Sequence, residues 1–158
     1  MINAHPWKEL YGYWLARRVD RRPPRRSALD IPLDLPHLAA SLMLIEIVGD
    51  RFRYRVAGSA LYERYQTGLT GTWVEQRGDA ESDWHATLVL VRDDLIPRLL
   101  STPVPGQTNI FHVAVALPLL DDEDKVHQIL AGAFFAQEFG EKRHSGRLQM
   151  RELLGESI

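Results

Sequence analysis

The chain has no cysteine among its 158 residues, which excludes disulfide scaffolds, thiolate zinc sites, iron–sulfur clusters and cysteine nucleophiles. No apolar run approaches the roughly 18 residues of a membrane span. The opening MINAHPWKEL has neither the basic and apolar regions nor the small-residue cleavage site of a signal peptide, so a cytoplasmic protein that does not enter the membrane is expected. Catalytic signatures are equally sparse. There is no Gly-x-Ser-x-Gly, and the GLTG of Gly68 to Gly71 lacks the lysine and second half of a phosphate loop. His5, His37, His85, His112, His127 and His144 contain no i, i+4 pair and no His-Glu-x-x-His arrangement. The run from Asp121 to Asp124 lacks the glycine and ligand spacing of a calcium loop and reads as a solvated turn. A non-enzymatic protein without a metal is the expectation.

What is present suits one domain: 18.1 kDa, with 45% apolar and 9% aromatic residues to fill a core. The net charge of -2 conceals polarity. The first 26 residues carry Lys8 and six arginines against Glu9 and Asp20, while acidic residues outnumber basic ones in the remainder.

Trp7, Leu10, Tyr11, Trp14 and Leu15 recur at helical spacing and predict an amphipathic helix over about 6–18, ended before Pro23-Pro24. Residues 29–36 read as an irregular connection, with a helical turn from Pro36. Leu42 to Val48 and Arg51 to Val56 predict a hairpin across Gly49-Asp50, with Phe52, Tyr54 and Val56 facing in and Arg51, Arg53 and Arg55 out. Ser59 to Gln66 reads as a short helix. Asp79 to about Thr102 reads as a long one, striped by Trp84, Leu88, Val91, Leu95 and Leu99 and open to a break near Pro97. Phe111 to Leu117 and Ile129 to Phe135 predict an antiparallel pair across the acidic turn. The chain thus divides into an amphipathic helix and Arg/Pro arm (1–28), a domain (29–139) and a polar tail with a weak helix (140–158). The order predicts an α+β fold with helices on one face of an antiparallel sheet.

Tyr13-Trp14, the arm Arg22 to Arg25, the strand Arg51 to Gly58, the LTG of Leu69 to Gly71 and Leu117 to Leu119 together resemble PAS domains, specifically stand-alone bacterial PAS proteins with an N-terminal aromatic helix, over about 130 residues. The resemblance implies a five-stranded antiparallel sheet with helices on one face, a cage for a small ligand, and a role in sensing or protein contact. The loop STPVPGQTN after Leu100 departs from the pattern and leaves little room for the third strand.

Candidate ligand-binding residues of the cage are Phe52, Tyr54, Val56, Leu61, Val115 and Phe135, which alternate inward on the strands or sit on the capping helix. No cofactor can be named. Haem is not expected, because His85 lies about 100° from the apolar stripe of its helix. His112 alternates with the apolar side of its strand and is expected on the polar, solvent side or at a subunit contact. The aromatic stripe, Trp7, Leu10, Tyr11 and Trp14, either covers the domain's own core or forms a homodimer or partner contact. Arg21, Arg22, Arg25 and Arg26 are the candidate anion contacts, although pairing with the acidic remainder of the chain explains them better than nucleic acid does. The function expected is a sensory or protein-interaction domain signalling through a separate partner. An arginine-arm binder of nucleic acid or anionic surfaces, or a small α+β enzyme, is the alternative.

Overall fold

The structure, a computed structural model, describes residues 6–65, 67–104, 106, 110–136 and 146–149. Helix α1 (Pro6–Ala16) opens the chain, and a bent arm leads to the single-turn α2 (Ile31–Asp34), capped by the Asp30 carboxylate on the Leu33 amide at 3.2 Å. Strands β1 (Leu42–Val48) and β2 (Arg51–Ala57) form the hairpin, and Gly49 takes the left-handed φ of 61° that the two-residue turn needs. Helix α3 (Ser59–Tyr65), a 3-10 segment (Val74–Glu81) and helix α4 (Ser82–Asp94) follow, then β3 (Arg98–Pro103), β4 (Phe111–Leu120), β5 (Val126–Ala136) and β6 (Gly146–Gln149).

The strands form one antiparallel sheet in the order β2-β1-β5-β4-β3-β6. The fold is therefore α+β and PAS-like in layout, with an N-terminal helix in front. β6 lies outside the expected five strands, at the β3 edge, so the C-terminal stretch contributes a strand at 146–149 where a weak helix was expected.

Alternation on the strands builds two cores. Phe111, Val113, Val115, Leu117 and Leu119 of β4 face α1, whose Trp7, Leu10, Tyr11 and Trp14 are buried among them. The opposite positions, with Met43, Ile45, Phe52, Tyr54, Ile129 and Ala131, face Leu61 of α3, Val74, and Trp84, Leu88 and Val91 of α4. Helices thus lie on both faces, α1 with the single-turn α2 on one and α3 and α4 on the other. A Cβ at Gly132 would meet the Phe134 ring at 2.7 Å and Leu10 at 3.1 Å, so glycine lets α1 settle onto β5.

The long helix is shorter than its pattern predicts. Gly78, at φ 56°, kinks the 3-10 segment that precedes α4, and α4 ends at Asp94 with Leu95 left-handed at φ 58°. Pro97, with no amide hydrogen, then starts an extended course in which Leu99 joins β3 and faces α1. The third strand, for which the loop left little room, is present at 98–103 because it uses residues the helical pattern had claimed.

Candidate functional site

A cavity of about 520 Å³ opens between α4, the end of α3 and the strands β1, β3 and β4. Tyr65 closes α3, Arg77 and Glu81 lie on the 3-10 segment, Asp83 and Trp84 begin α4, and His112 stands on β4 beside Phe135 at 5.6 Å, edge to face. Met43, Leu100 and Ala114 supply an apolar floor. Gly78 gives the polypeptide the turn that places Arg77 and Glu81 at one cavity.

Tyr54, fully buried, lies behind the cavity wall, within reach of Glu81, Tyr65, Arg77 and Trp84. Burial and the nearby Glu81 carboxylate push its hydroxyl well above the ordinary tyrosine range, and Arg77 and the Trp84 indole act weakly the other way. The hydroxyl has no aligned hydrogen-bond partner, and neither has the buried Nε of Arg77, whose guanidinium stands 5.1 Å from the Tyr65 ring centre. Of the two residues, Arg77 lines the cavity and Tyr54 lies behind its wall; buried polar groups left unsatisfied call for an explanation such as an ordered water.

The structure gathers only part of the expected cage. Phe52, Tyr54 and Leu61 are buried on the cavity side of the sheet. Val56 is not: the register slips so that Ile45 pairs with Tyr54 and Leu44 with Val56, which bulges Arg55 and turns Val56 to the α1 side, 54% exposed. There it lines a separate apolar cavity of about 280 Å³ with Leu44, Leu119 and Leu130. Val115 is buried against α1, on the opposite face. Phe135 is 61% exposed and touches the cavity region through His112. His112 itself lines the cavity, a correction to its placement on the polar side of the strand. Arg77, Glu81 and Asp83 belong to no motif, and the break at Gly78 is the single sequence signal near them.

The aromatic stripe is core. Trp7 and Leu10 are fully buried, Trp14 is 2% exposed and its indole N–H donates to the Pro118 carbonyl at 2.8 Å, so these residues offer no surface to a second copy. The arm is tied down. Arg25 and Arg22 pair with Asp124 at 3.0 and 3.6 Å, the Leu120 amide donates to the Pro24 carbonyl, and Arg26 donates to the Leu29 carbonyl. The Arg25 guanidinium holds the Asp124 carboxyl below its usual range. Arg21 is exposed at φ 64° in a tight turn with Asp20. His85, half-buried, faces the Glu75 carboxylate at 2.9 Å and the Phe52 ring edge. Among the described residues no three histidine or acidic side chains are placed to hold a metal ion, and no helix is long and apolar enough to cross a membrane.

No protein-family model matches the chain, and no curated protein matches it in sequence.

Proposed function

We propose that the chain is a PAS-like sensory or protein-interaction domain, without catalysis of its own, that holds a small molecule between its sheet and the α3–α4 layer and signals to a separate partner in the cytoplasm. The observation that carries this reading is the cavity of about 520 Å³, whose wall sets Arg77, Glu81 and Asp83 above Met43, Leu100 and Ala114. Its size falls within the range of small-molecule sites, and convergent polar groups on an apolar floor are what such sites use to orient a guest. Native mass spectrometry of protein purified from its own host, compared with the denatured mass, tests it. A retained extra mass supports the reading; a bare protein that takes up nothing from a metabolite extract overturns it.

A second reading, a small α+β enzyme, is favoured by one observation: His112, Glu81 and Asp83 line the same cavity and include groups able to carry protons. A retained molecule released unchanged after long incubation favours the sensor, and a chemically altered one favours the enzyme. Binding of nucleic acid or an anionic surface through the arm is the weaker reading, since Arg22 and Arg25 are already paired with Asp124. A homodimer, if it forms, uses a surface other than the aromatic stripe of α1.

A further inference from the structure

The apolar cavity of about 280 Å³ lies on the α1 face, across the sheet from the larger one. Ile31 of α2, Leu44 of β1, Val56 of β2, Leu119 of β4 and Leu130 of β5 line it. The register slip between Leu44 and Ile45 brings Val56 there. Strict alternation would turn that side chain to the α3–α4 core; the bulge instead leaves it 54% exposed at the cavity, opposite the half-buried Leu44. A face that α1 closes elsewhere with fully buried Trp7 and Leu10 is left open at this one apolar hollow.

Its charge has one sign. Among the described residues, Arg26 is the one charged side chain in the wall. Its guanidinium carries five N–H donors, of which one, on Nη1, reaches the Leu29 carbonyl at 3.1 Å, and no other acceptor among the described residues meets it. The neighbouring acids are engaged. Asp30 accepts from the Leu33 amide, and Asp34 from Tyr13 and Arg17. Glu46, the next residue of β1 on this face, accepts from Arg53 and has Arg55 at 3.7 Å. The apolar lining suits an alkyl chain, and the half-buried Arg26 suits a carboxylate, whose bonds to a guanidinium are charge-assisted and can be bidentate.

We propose that this hollow holds the alkyl chain of a medium-chain fatty acid, with the carboxylate on Arg26. A methylene is close to water in size, so at about 30 Å³ per group a cavity of about 280 Å³ has room for about nine, the chain of decanoate. The inference concerns a second site and stands whether or not the larger cavity is filled.

Isothermal titration of the full chain with hexanoate, octanoate, decanoate and tetradecanoate, each below its micelle-forming concentration, tests the proposal, with octanol and octylamine as neutral and cationic controls. Each added methylene should tighten binding about threefold to fourfold, levelling off past decanoate. Octanoate should bind roughly tenfold or more tightly than either control, and Arg26→Met should erase that preference while octanol binding stays. Val56→Asp, at an exposed position, should weaken octanoate roughly tenfold or more, with an unfolding midpoint that shows the fold intact. Amide NMR shifts on adding decanoate should move at Leu44, Val56 and Leu130 and stay still at Leu100 and Ala114, which line the larger cavity. Absence of binding, or octanol bound as tightly as octanoate, overturns the proposal. Shifts confined to Leu100 and Ala114 overturn it too and leave the small-molecule reading of the larger cavity standing. A chain that binds no acid but dimerises, and that Val56→Asp makes monomeric, gives this face to a second copy and overturns the fatty-acid site.

Discussion

The two faces of the sheet are built from similar apolar strands and packed to different standards. On the α1 side, Trp7 and Leu10 are fully buried, the Trp14 indole N–H has its carbonyl, and Gly132 lets the helix close on the strand. On the α3–α4 side, Phe52, Leu88 and Val91 are as deeply buried, yet a cavity remains beside Arg77 and the buried Tyr54 hydroxyl donates to no acceptor. Close packing and satisfied polar groups are the ordinary condition of a protein interior. The α1 face also leaves a cavity, of about 280 Å³, but a mainly apolar one; the α3–α4 face leaves one with Arg77, Glu81 and Asp83 in its wall, where a guest has polar groups to meet.

The largest expected effect comes from breaking the α1 face. Truncating one buried tryptophan typically costs ~3–5 kcal/mol, a large part of the ~5–15 kcal/mol that holds a domain together. The double variant Trp7→Asp, Trp14→Asp is therefore expected to lose its fold, read by circular dichroism and urea unfolding. A well-folded monomer would show that the stripe is a contact surface after all. Gly132→Leu should come next, because its side chain must displace the Phe134 ring and Leu10; overpacking of this kind costs ~1–3 kcal/mol. Gly12→Ala, on the exposed side of α1 with open space around it, is expected to stabilise by about 0.5–1 kcal/mol through helix propensity, so the two glycine changes should move the urea midpoint in opposite directions.

On the cavity side, alkaline pH gives a smaller signal. Tyr54 has its pKa raised in the fold by burial, so above the ordinary tyrosine value of about 10 the unfolded chain releases this proton first. Stability from this group is complete below that pH and falls as pH rises beyond it; Tyr54→Phe should shallow the decline. An unchanged alkaline limb in the variant would place the hydroxyl in contact with water. The smallest effect belongs to the arm. Asp124 is held below its ordinary range by Arg25, so its contribution is present above about pH 4 and is lost as pH falls through the lower folded value. Because the pair is exposed, Asp124→Asn should lower the melting temperature only slightly, and added salt should erase the difference.

How much of this could be read from the sequence follows from how each segment declares itself. The hairpin of β1 and β2 is legible because Gly49-Asp50 interrupts two strand patterns, and β4 and β5 because an acidic turn joins two apolar runs. The face to which a β4 residue points is less legible: FHVAVALPLL is buried on both sides, so period-2 alternation loses its contrast and Val115 is assigned to the wrong face. Val56 follows its own alternation until the bulge at Arg55 reverses it, and nothing local marks the bulge. β3 hides inside a helical pattern because Leu95 and Leu99 keep the i, i+4 spacing of α4, and only Pro97 betrays the change. The cavity was the least legible part, since Arg77, Glu81 and Asp83, clustered around the start of α4, meet His112 of β4 only through the fold.

The central claim, that the α3–α4 face leaves the buried Tyr54 hydroxyl without an acceptor, is tested most directly by urea unfolding of Tyr54→Phe beside the unsubstituted protein, both stripped of ligand. Removing a buried hydroxyl that has no partner should raise the unfolding free energy by about 1 kcal/mol at an unchanged slope. A clear loss of stability would mean that the hydroxyl is satisfied in the empty protein, and the contrast between the two faces would fall with it.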